Sequence, residues 1–170
     1  FLTARGAVVG EVAARLSGGY MSGWTYPYAS GVPVTEAAMR MALGLDPGDL
    51  TPRFRRTSAE RAAISIPGVV SEIVGDDAAR ETEHLKVLFM RASVGEKVVF
   101  PRNNTEKCAN VITAAETRSE AVRGAEEAVA RLVFRLEPAN PQTIAFLGRK
   151  DGPRAFELKR RENIRALEAM

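Results

Sequence analysis

The sequence is poor in the residue types on which several common protein classes depend. It has one cysteine, Cys108, and one histidine, His84, so an internal disulfide is excluded and a Cys/His zinc site lacks ligands. Its apolar runs, such as residues 87–90, are far shorter than the ~20 residues that a transmembrane helix needs. It also lacks the Gly-x-Gly-x-x-Gly and Gly-Lys-Ser/Thr patterns of two common nucleotide-binding loops. These absences favour a cytoplasmic protein and exclude those two routes to a nucleotide.

The excess of positive charge is small and lies at one end of the chain. Lys and Arg outnumber Asp and Glu by 24 to 21 over the 170 residues, and residues 149–170 account for the whole difference. We interpret this tail as a solvated basic helix rather than as a nucleic-acid patch. Residues 53–56, where arginines surround a phenylalanine, resemble an RNA contact only weakly. We therefore expect neither a nucleic acid nor a membrane as a partner.

The middle of the sequence has the pattern of an α+β fold. Hydrophobic residues make up 45% of the chain and charged residues 26%, a composition typical of soluble folded domains. Hairpin signals between helices favour an α+β arrangement over a parallel doubly wound sheet. The predicted elements are a strand within 7–15, a structured loop over 16–31, a helix over 35–43 capped by Thr35 and ended by Gly44, strands over 62–66 and 69–74, a hairpin over 85–100 turning near Gly95, and strands over 111–114 and 134–136.

A second helix is predicted from a capping box at Thr117 and Glu120. In this motif the Thr hydroxyl and the Glu carboxylate each accept a backbone N–H at the start of the helix. Apolar residues then recur at helical spacing, which predicts a buried stripe up to about Leu132. The isolated residues His84 and Cys108 are interpreted as structural, because neither has a partner of the kind that a nucleophile or base needs.

Glu11, Arg15 and the turn 17–19 have the chemistry of a phosphate-handling site. A carboxylate at the end of a strand is a hard oxygen ligand suited to Mg²⁺. The planar guanidinium of Arg15 suits two-point contact with phosphate or carboxylate oxygens. The Ser-Gly-Gly turn lets backbone N–H groups approach an anion closely. The alternative from spacing alone is a Glu11–Arg15 ion pair that braces a glycine-rich turn.

Taken together, these motifs resemble the closing stretch and C-terminal region of ATP-grasp ligases. The resemblance covers most of residues 7–135, and the Glu-x-x-x-Arg spacing is most similar to L-amino-acid ligases. The whole is also similar to phosphoribosylamine-glycine ligase and to carbamoyl-phosphate-synthase-like members. The matching segments are 11–19, 22–23, 26–27, 31–32, 43–44, 68–70, 73–75, 95–98 and 112–115, with Thr117, Glu120 and Ala121.

The resemblance implies a fold, a reaction and a set of site residues. It implies that residues 1–46 end an ATP-grasp domain, that 47–148 form a small mixed or antiparallel β-rich domain with one long helix and flanking helices, and that 149–170 form a basic terminal helix. The implied reaction joins a small carboxylate to an amine through an acylphosphate, with ATP as co-substrate and Mg²⁺ as cofactor. Glu11 would bind the metal and Arg15 would be catalytic, steadying the transferred phosphoryl group. The substrate and phosphate pocket would be lined by Ser17, Gly18, Gly19, Ser22 and Gly23.

Two departures from the family pattern shape the expectation for this chain. Ala13 stands where many members have an Asn that serves as a second metal ligand. The sequence also begins where an ATP-grasp fold is nearly finished, so we expect an N-terminal portion with the ATP-clasping lysines and expect the chain to be inactive alone. A homodimer is compatible with this interpretation. The alternative function is a non-catalytic interaction or regulatory module that keeps the fold.

Overall fold

The computed structural model describes residues 1–148, and the predicted terminal helix over 149–170 lies outside the described residues. The strands are β1 (Leu2–Thr3), β2 (Gly6–Ala7), β3 (Thr57–Ala63), β4 (Gly68–Val74), β5 (Leu85–Met90), β6 (Lys97–Val98), β7 (Ala109–Ala115) and β8 (Val133–Leu136). The helices are α1 (Tyr26–Ser30), α2 (Val34–Ala42), α3 (Asp76–Arg80), α4 (Arg118–Arg131) and α5 (Pro141–Leu147), and a π-helical turn covers Met21–Thr25. In this part of the chain no helix is long and apolar enough to cross a membrane.

Two three-stranded sheets form the body of the fold, in the orders β3-β7-β5 and β6-β4-β8. Every strand pair in them is antiparallel, which confirms the predicted α+β class. The central strand β7 is buried along its whole length. Its residues alternate between the two faces of the sheet, so one face receives α4 and the other is available to the N-terminal segment.

Helix α4 begins as the sequence predicts. The Thr117 hydroxyl accepts the backbone N–H of Glu120 at 3.3 Å, and the Glu120 carboxylate accepts the Thr117 N–H at 3.1 Å. The small side chains of the buried stripe bring the helix close to β7, and Ala121, Ala125 and Ala128 are fully buried. The Thr113 hydroxyl of β7 donates to the Ala121 carbonyl at 2.6 Å, so this contact also satisfies a buried polar group.

The predicted hairpin over 85–100 is wrong. Its first half forms β5, which pairs with β7, and its last residues form β6, which pairs with β4. Gly95 does lie in a turn, with φ of +85°, and its N–H donates to the Val70 carbonyl at 2.8 Å. The turn therefore carries the chain from one sheet to the other instead of returning it beside β5.

The predicted strand within residues 7–15 is also wrong. Only Ala7 of this stretch lies in a strand, as the last residue of β2 in the short antiparallel pair β1–β2, and residues 8–17 form neither helix nor strand. A strand needs a neighbour to accept its backbone hydrogen bonds. Val8 still exchanges backbone hydrogen bonds with Phe1, at 2.8 and 2.7 Å, but within the described residues no backbone hydrogen bond joins residues 9–17 to another strand. By contrast, the predicted loop over 16–31 contains the π-helical turn and α1, which ends at Gly31 with φ of +78°.

Helix α2 lies within one residue of its predicted bounds, but its start differs. Pro33 occupies the N-cap position, and the Thr35 hydroxyl donates to the Ser22 carbonyl at 3.1 Å instead of capping the helix. Gly44 follows the helix with φ of +70°, the left-handed conformation expected of a glycine that ends a helix. The Thr35 contact ties α2 to the π-helical turn.

Candidate functional site

Aromatic packing docks the N-terminal segment onto the β3-β7-β5 sheet. The Tyr20 ring stacks on Phe89 of β5 with centroids 4.6 Å apart, and the Trp24 ring meets Phe89 edge-on at 5.1 Å. Its neighbour Leu88 belongs to the core that packs against α4. Since neighbouring side chains of a strand point to opposite faces, Phe89 and the docked segment lie on the face away from α4. The turn at Gly18 and Gly19 is thereby held beside this face.

A cavity of about 620 Å³ lies between the docked segment and the rest of the fold. This size is within the range of small-molecule sites, roughly 300–1,000 Å³. The N-terminal segment contributes Gly18, Gly19, Tyr20 and Met21 to its wall, and the remainder of the chain contributes Glu60, Arg91, Asn104, Thr105 and Lys107. The cavity therefore combines a glycine turn with a charged wall that comes from the β-rich part of the chain.

The charged wall contains two cations, Lys107 and Arg91, which differ in their partners. The Glu60 carboxylate on β3 accepts a hydrogen bond from the Asn110 side chain at 2.7 Å and lies 3.6 Å from the Lys107 ammonium. The Glu60 and Lys107 side chains are 25% and 22% exposed. Asn110 is fully buried, so the hydrogen bond from its side-chain amide holds the Glu60 carboxylate in place. Within residues 1–148, no side-chain hydrogen bond or ion pair engages the Arg91 guanidinium, which lies on the exposed side of the wall.

The structure brings Arg15 close to the predicted turn but leaves Glu11 apart. The Arg15 guanidinium donates to the Leu16 carbonyl at 3.0 Å, and a Cβ added at Gly18 would lie 3.9 Å from it. Glu11 is exposed, and in the described part of the chain its carboxylate has no partner. The alternative of a Glu11–Arg15 ion pair is therefore wrong in this structure. Gly19 adopts φ of +64°, a conformation that glycine tolerates without strain.

The other predicted pocket residues lie outside this cavity. Ser17 is exposed beside the turn, and Gly23 is exposed within the π-helical turn. Ser22 is buried, and its carbonyl accepts the Thr35 hydroxyl, so it serves the packing of α2 in this structure. Their assignment to a substrate pocket stays a prediction.

The described residues do not bring a set of metal-binding side chains together. Across residues 1–148, no group of three or more His, Cys, Asp or Glu side chains lies together in a way that could hold a metal ion. Glu11 offers one exposed carboxylate, and the methyl group of Ala13 offers no ligand atom. Mg²⁺ in proteins usually has one or two carboxylate ligands and completes its shell with waters and substrate phosphates. The assignment of Glu11 as a metal ligand stays a prediction.

Cys108 and the arginine cluster over residues 53–56 have structural surroundings in the fold. Cys108 is buried, and burial raises the pKa of its thiol, with the negative charge of Glu96 acting in the same direction. In the arginine cluster, Arg56 pairs with Glu116 at 2.7 Å and lies over the Phe54 ring. These contacts give both residues a packing role.

Sequence reasoning missed the charged wall. Glu60, Arg91 and Lys107 come from three separate segments that share no motif, and only the pairing of β3 with β7 and β5 brings them together. One local signal was available, because Asn110 is a polar residue between apolar neighbours in a buried strand. Such a residue usually has a specific hydrogen-bond partner, which here is Glu60.

Comparisons with known proteins agree with this architecture. Residues 62–137 match the family model described as L-amino acid ligase C-terminal domain 2. Among solved structures, an L-amino acid ligase from Bacillus licheniformis is similar at TM-score 0.60 and 18% identity, over 73% of this chain and 31% of that one. A phosphoribosylglycinamide synthetase from Anaerococcus prevotii is similar at TM-score 0.59 and 12% identity, over 68% of this chain and 31% of that one. The chain thus spans about a third of the length of these structures. No curated protein sequence matches it significantly.

Proposed function

We propose that the chain is part of an ATP-dependent carboxylate–amine ligase, because residues 62–137 match the family model described as L-amino acid ligase C-terminal domain 2 and the fold is similar to those of a solved ligase and a solved synthetase. In this reaction a carboxylate oxygen attacks the γ-phosphorus of ATP and ADP leaves. The amine then attacks the acyl carbon of the acylphosphate, loses a proton and displaces inorganic phosphate. The observation that carries the proposal is the cavity between the Gly18–Gly19 turn and the charged wall.

The roles proposed for the N-terminal residues follow from their chemistry. Arg15 lies beside Gly18 and is exposed, so its guanidinium is available to the phosphoryl group during transfer. The backbone N–H groups of the turn at Gly18 and Gly19 are suited to an anionic substrate oxygen. Ser17, Ser22 and Gly23 lie within four residues of that turn along the chain and are proposed to line the same pocket. Glu11 contributes one ligand to Mg²⁺, which when bound neutralises part of the phosphate charge.

The ATP-clasping groups are assigned to a part of the enzyme other than this chain. A single carboxylate such as Glu11 competes poorly with water for Mg²⁺. We therefore expect the 170-residue chain alone to show no micromolar binding of Mg·ATP and no turnover. Isothermal titration measures the first point, and micromolar binding would contradict it.

ADP release by the full-length gene product tests the proposed function. The assay supplies Mg·ATP with a panel of amino acids and compares wild type with Glu11→Gln and Arg15→Ala. Matched controls are Glu127→Gln and Arg123→Ala, because these two residues form an exposed pair on α4 away from the cavity. We expect amino-acid-dependent release that falls at least 100-fold in the two site variants and stays unchanged in the controls, as for loss of transition-state charge stabilisation.

Two results of the ADP-release assay would contradict the proposed function. If release is absent, or is present but indifferent to both site substitutions, the proposal is overturned. The chain would then be better described as an interaction or regulatory module that retains an ATP-grasp fold.

A further inference from the structure

We propose that the charged wall binds the free carboxylate of the acceptor amino acid, with Arg91 as the principal contact and Lys107 as the second. This inference rests on the proposed function and names the residues of its cavity that would hold the acceptor. In a carboxylate–amine ligation the acceptor reacts through its amine, so an acceptor that is an amino acid keeps its carboxylate throughout. A cation at a fixed distance from the turn at Gly18 and Gly19, where the reaction is proposed to take place, would select such an acceptor.

The backbone around Arg91 is held in place, although its guanidinium has no hydrogen-bond or ion-pair partner in the described part of the chain. Arg91 follows β5 directly, and its N–H donates to the Cys108 carbonyl at 2.9 Å. Cys108 precedes β7, so this bond fixes the Arg91 backbone against the central strand of the sheet. The side chain can therefore reach into the cavity from a rigid base. An anchored arginine without a protein partner is suited to two-point binding of a carboxylate.

Lys107, unlike Arg91, has an ion-pair partner in the cavity wall. Its ammonium lies 3.6 Å from Glu60, and Glu60 is fixed by the buried amide of Asn110. Three-quarters of the Lys107 side chain is covered, since its exposed fraction is 22%. An ammonium has three donors, so the contact with Glu60 leaves donors for a ligand. Lys107 thus adds a fixed positive charge beside Arg91.

The charge of the wall favours a carboxylate over a polyphosphate. Arg91 and Lys107 together with Glu60 give a net charge of about +1, which matches one carboxylate. A triphosphate would meet the negative charge of Glu60 at close range, which disfavours it. The neighbouring Arg102 is unavailable because Glu106 pairs with it at 2.6 Å. The cavity also has Gly18 and Gly19 on its other side, so a bound amino acid would direct its amine toward the turn that lies beside Arg15.

A comparison of two acceptors isolates the proposed contact. The full-length enzyme is assayed at saturating ATP and donor carboxylate, with the acceptor supplied either as a free amino acid or as its carboxamide, which keeps the amine and loses the negative charge. Variants are Arg91→Ala and Arg91→Lys, with Arg123→Ala as the control for loss of an exposed arginine. Because the Arg91 guanidinium makes no hydrogen bond or ion pair within residues 1–148, its removal should leave folding intact, and circular dichroism checks this.

We expect wild type to prefer the free acid, measured as the ratio of kcat/KM for acid and amide. Arg91→Ala should reduce that ratio by about 10- to 100-fold, the effect of losing a charge-assisted hydrogen bond, with Arg91→Lys in between. The KM for ATP should stay unchanged in both variants. An unchanged acid-to-amide ratio, or a change that falls mainly on ATP, overturns the inference while the ligase activity itself stands.

Ligand-observed NMR without ATP separates this inference from the proposed function. If wild type shows no ADP release, the ligase proposal fails on its own evidence. The free acid and its carboxamide can still be compared for binding to wild type and to Arg91→Ala. Binding of the acid that is lost in Arg91→Ala supports the carboxylate site, and equal binding to both proteins overturns it.

Discussion

Gly124 is the position at which local and tertiary preferences of the chain conflict most clearly. It lies inside α4, where an alanine would favour the helix by about 1 kcal/mol. A Cβ added there would lie 2.7 Å from the Glu83 carbonyl oxygen and 3.7 Å from the His84 Cβ. His84 already has φ of +66°, so this backbone turn has little freedom to move away. Overpacking of this kind costs about 1–3 kcal/mol, and contact with backbone favours the upper end of that range.

The net expectation for Gly124→Ala is destabilisation by about 2 kcal/mol, or a fall in Tm of about 4–8 °C for a chain of this length. Urea unfolding followed by far-UV circular dichroism and by fluorescence of Trp24, the single tryptophan, measures it. The control is Ala130→Gly, an exposed position on the same helix, which should cost only the propensity of about 1 kcal/mol. A Gly124→Ala variant as stable as wild type, or more so, would refute the close approach of α4 to the turn at Glu83.

Three further predictions concern the capping box and the buried thiol. Thr117→Ala should lower the free energy of unfolding by about 0.5–2 kcal/mol in urea titration, and an unchanged value would contradict the cap. Hydrogen bonds from the Thr117 side chain and backbone hold the pKa of Glu120 below its ordinary value of 4.5. Its stabilising contribution is therefore present above about pH 4.5 and is lost as the pH falls through the lower folded-state value, so the stability difference between wild type and Glu120→Gln should shrink in acid. Cys108 should react slowly with an aromatic disulfide at pH 8 in the native protein and rapidly in urea, because burial raises the pKa of its thiol; fast native labelling would contradict its burial.

The sequence predicted those elements whose causes are local. The capping box at Thr117 and Glu120 and the small-residue stripe behind it determine α4 from neighbouring residues alone. Gly44 ends α2 for the same kind of reason. The hairpin over 85–100 was wrong because strand patterning does not specify a partner, and β5 and β6 find theirs in different sheets.

In the candidate site, too, the sequence predicted only those residues that lie close together along the chain. Arg15 and the Gly18–Gly19 turn are contiguous, so their motif could be read directly, and the structure places them together. The opposite wall requires β3, β5 and β7 to pair and Phe89 to receive Tyr20 and Trp24. These contacts are distant in sequence, so Arg91 and Lys107 could be recognised only from the fold.

Transfer of oxygen from substrate to phosphate tests the proposed acylphosphate route most directly. The full-length gene product is incubated with Mg·ATP, an acceptor amine and a donor amino acid labelled with ¹⁸O in its carboxylate. We expect one ¹⁸O atom in the inorganic phosphate for each amide bond formed, with both products lost in Glu11→Gln and Arg15→Ala. Amide formation without label in the phosphate would contradict the acylphosphate, and the absence of any amide product with every acceptor would contradict the ligase assignment.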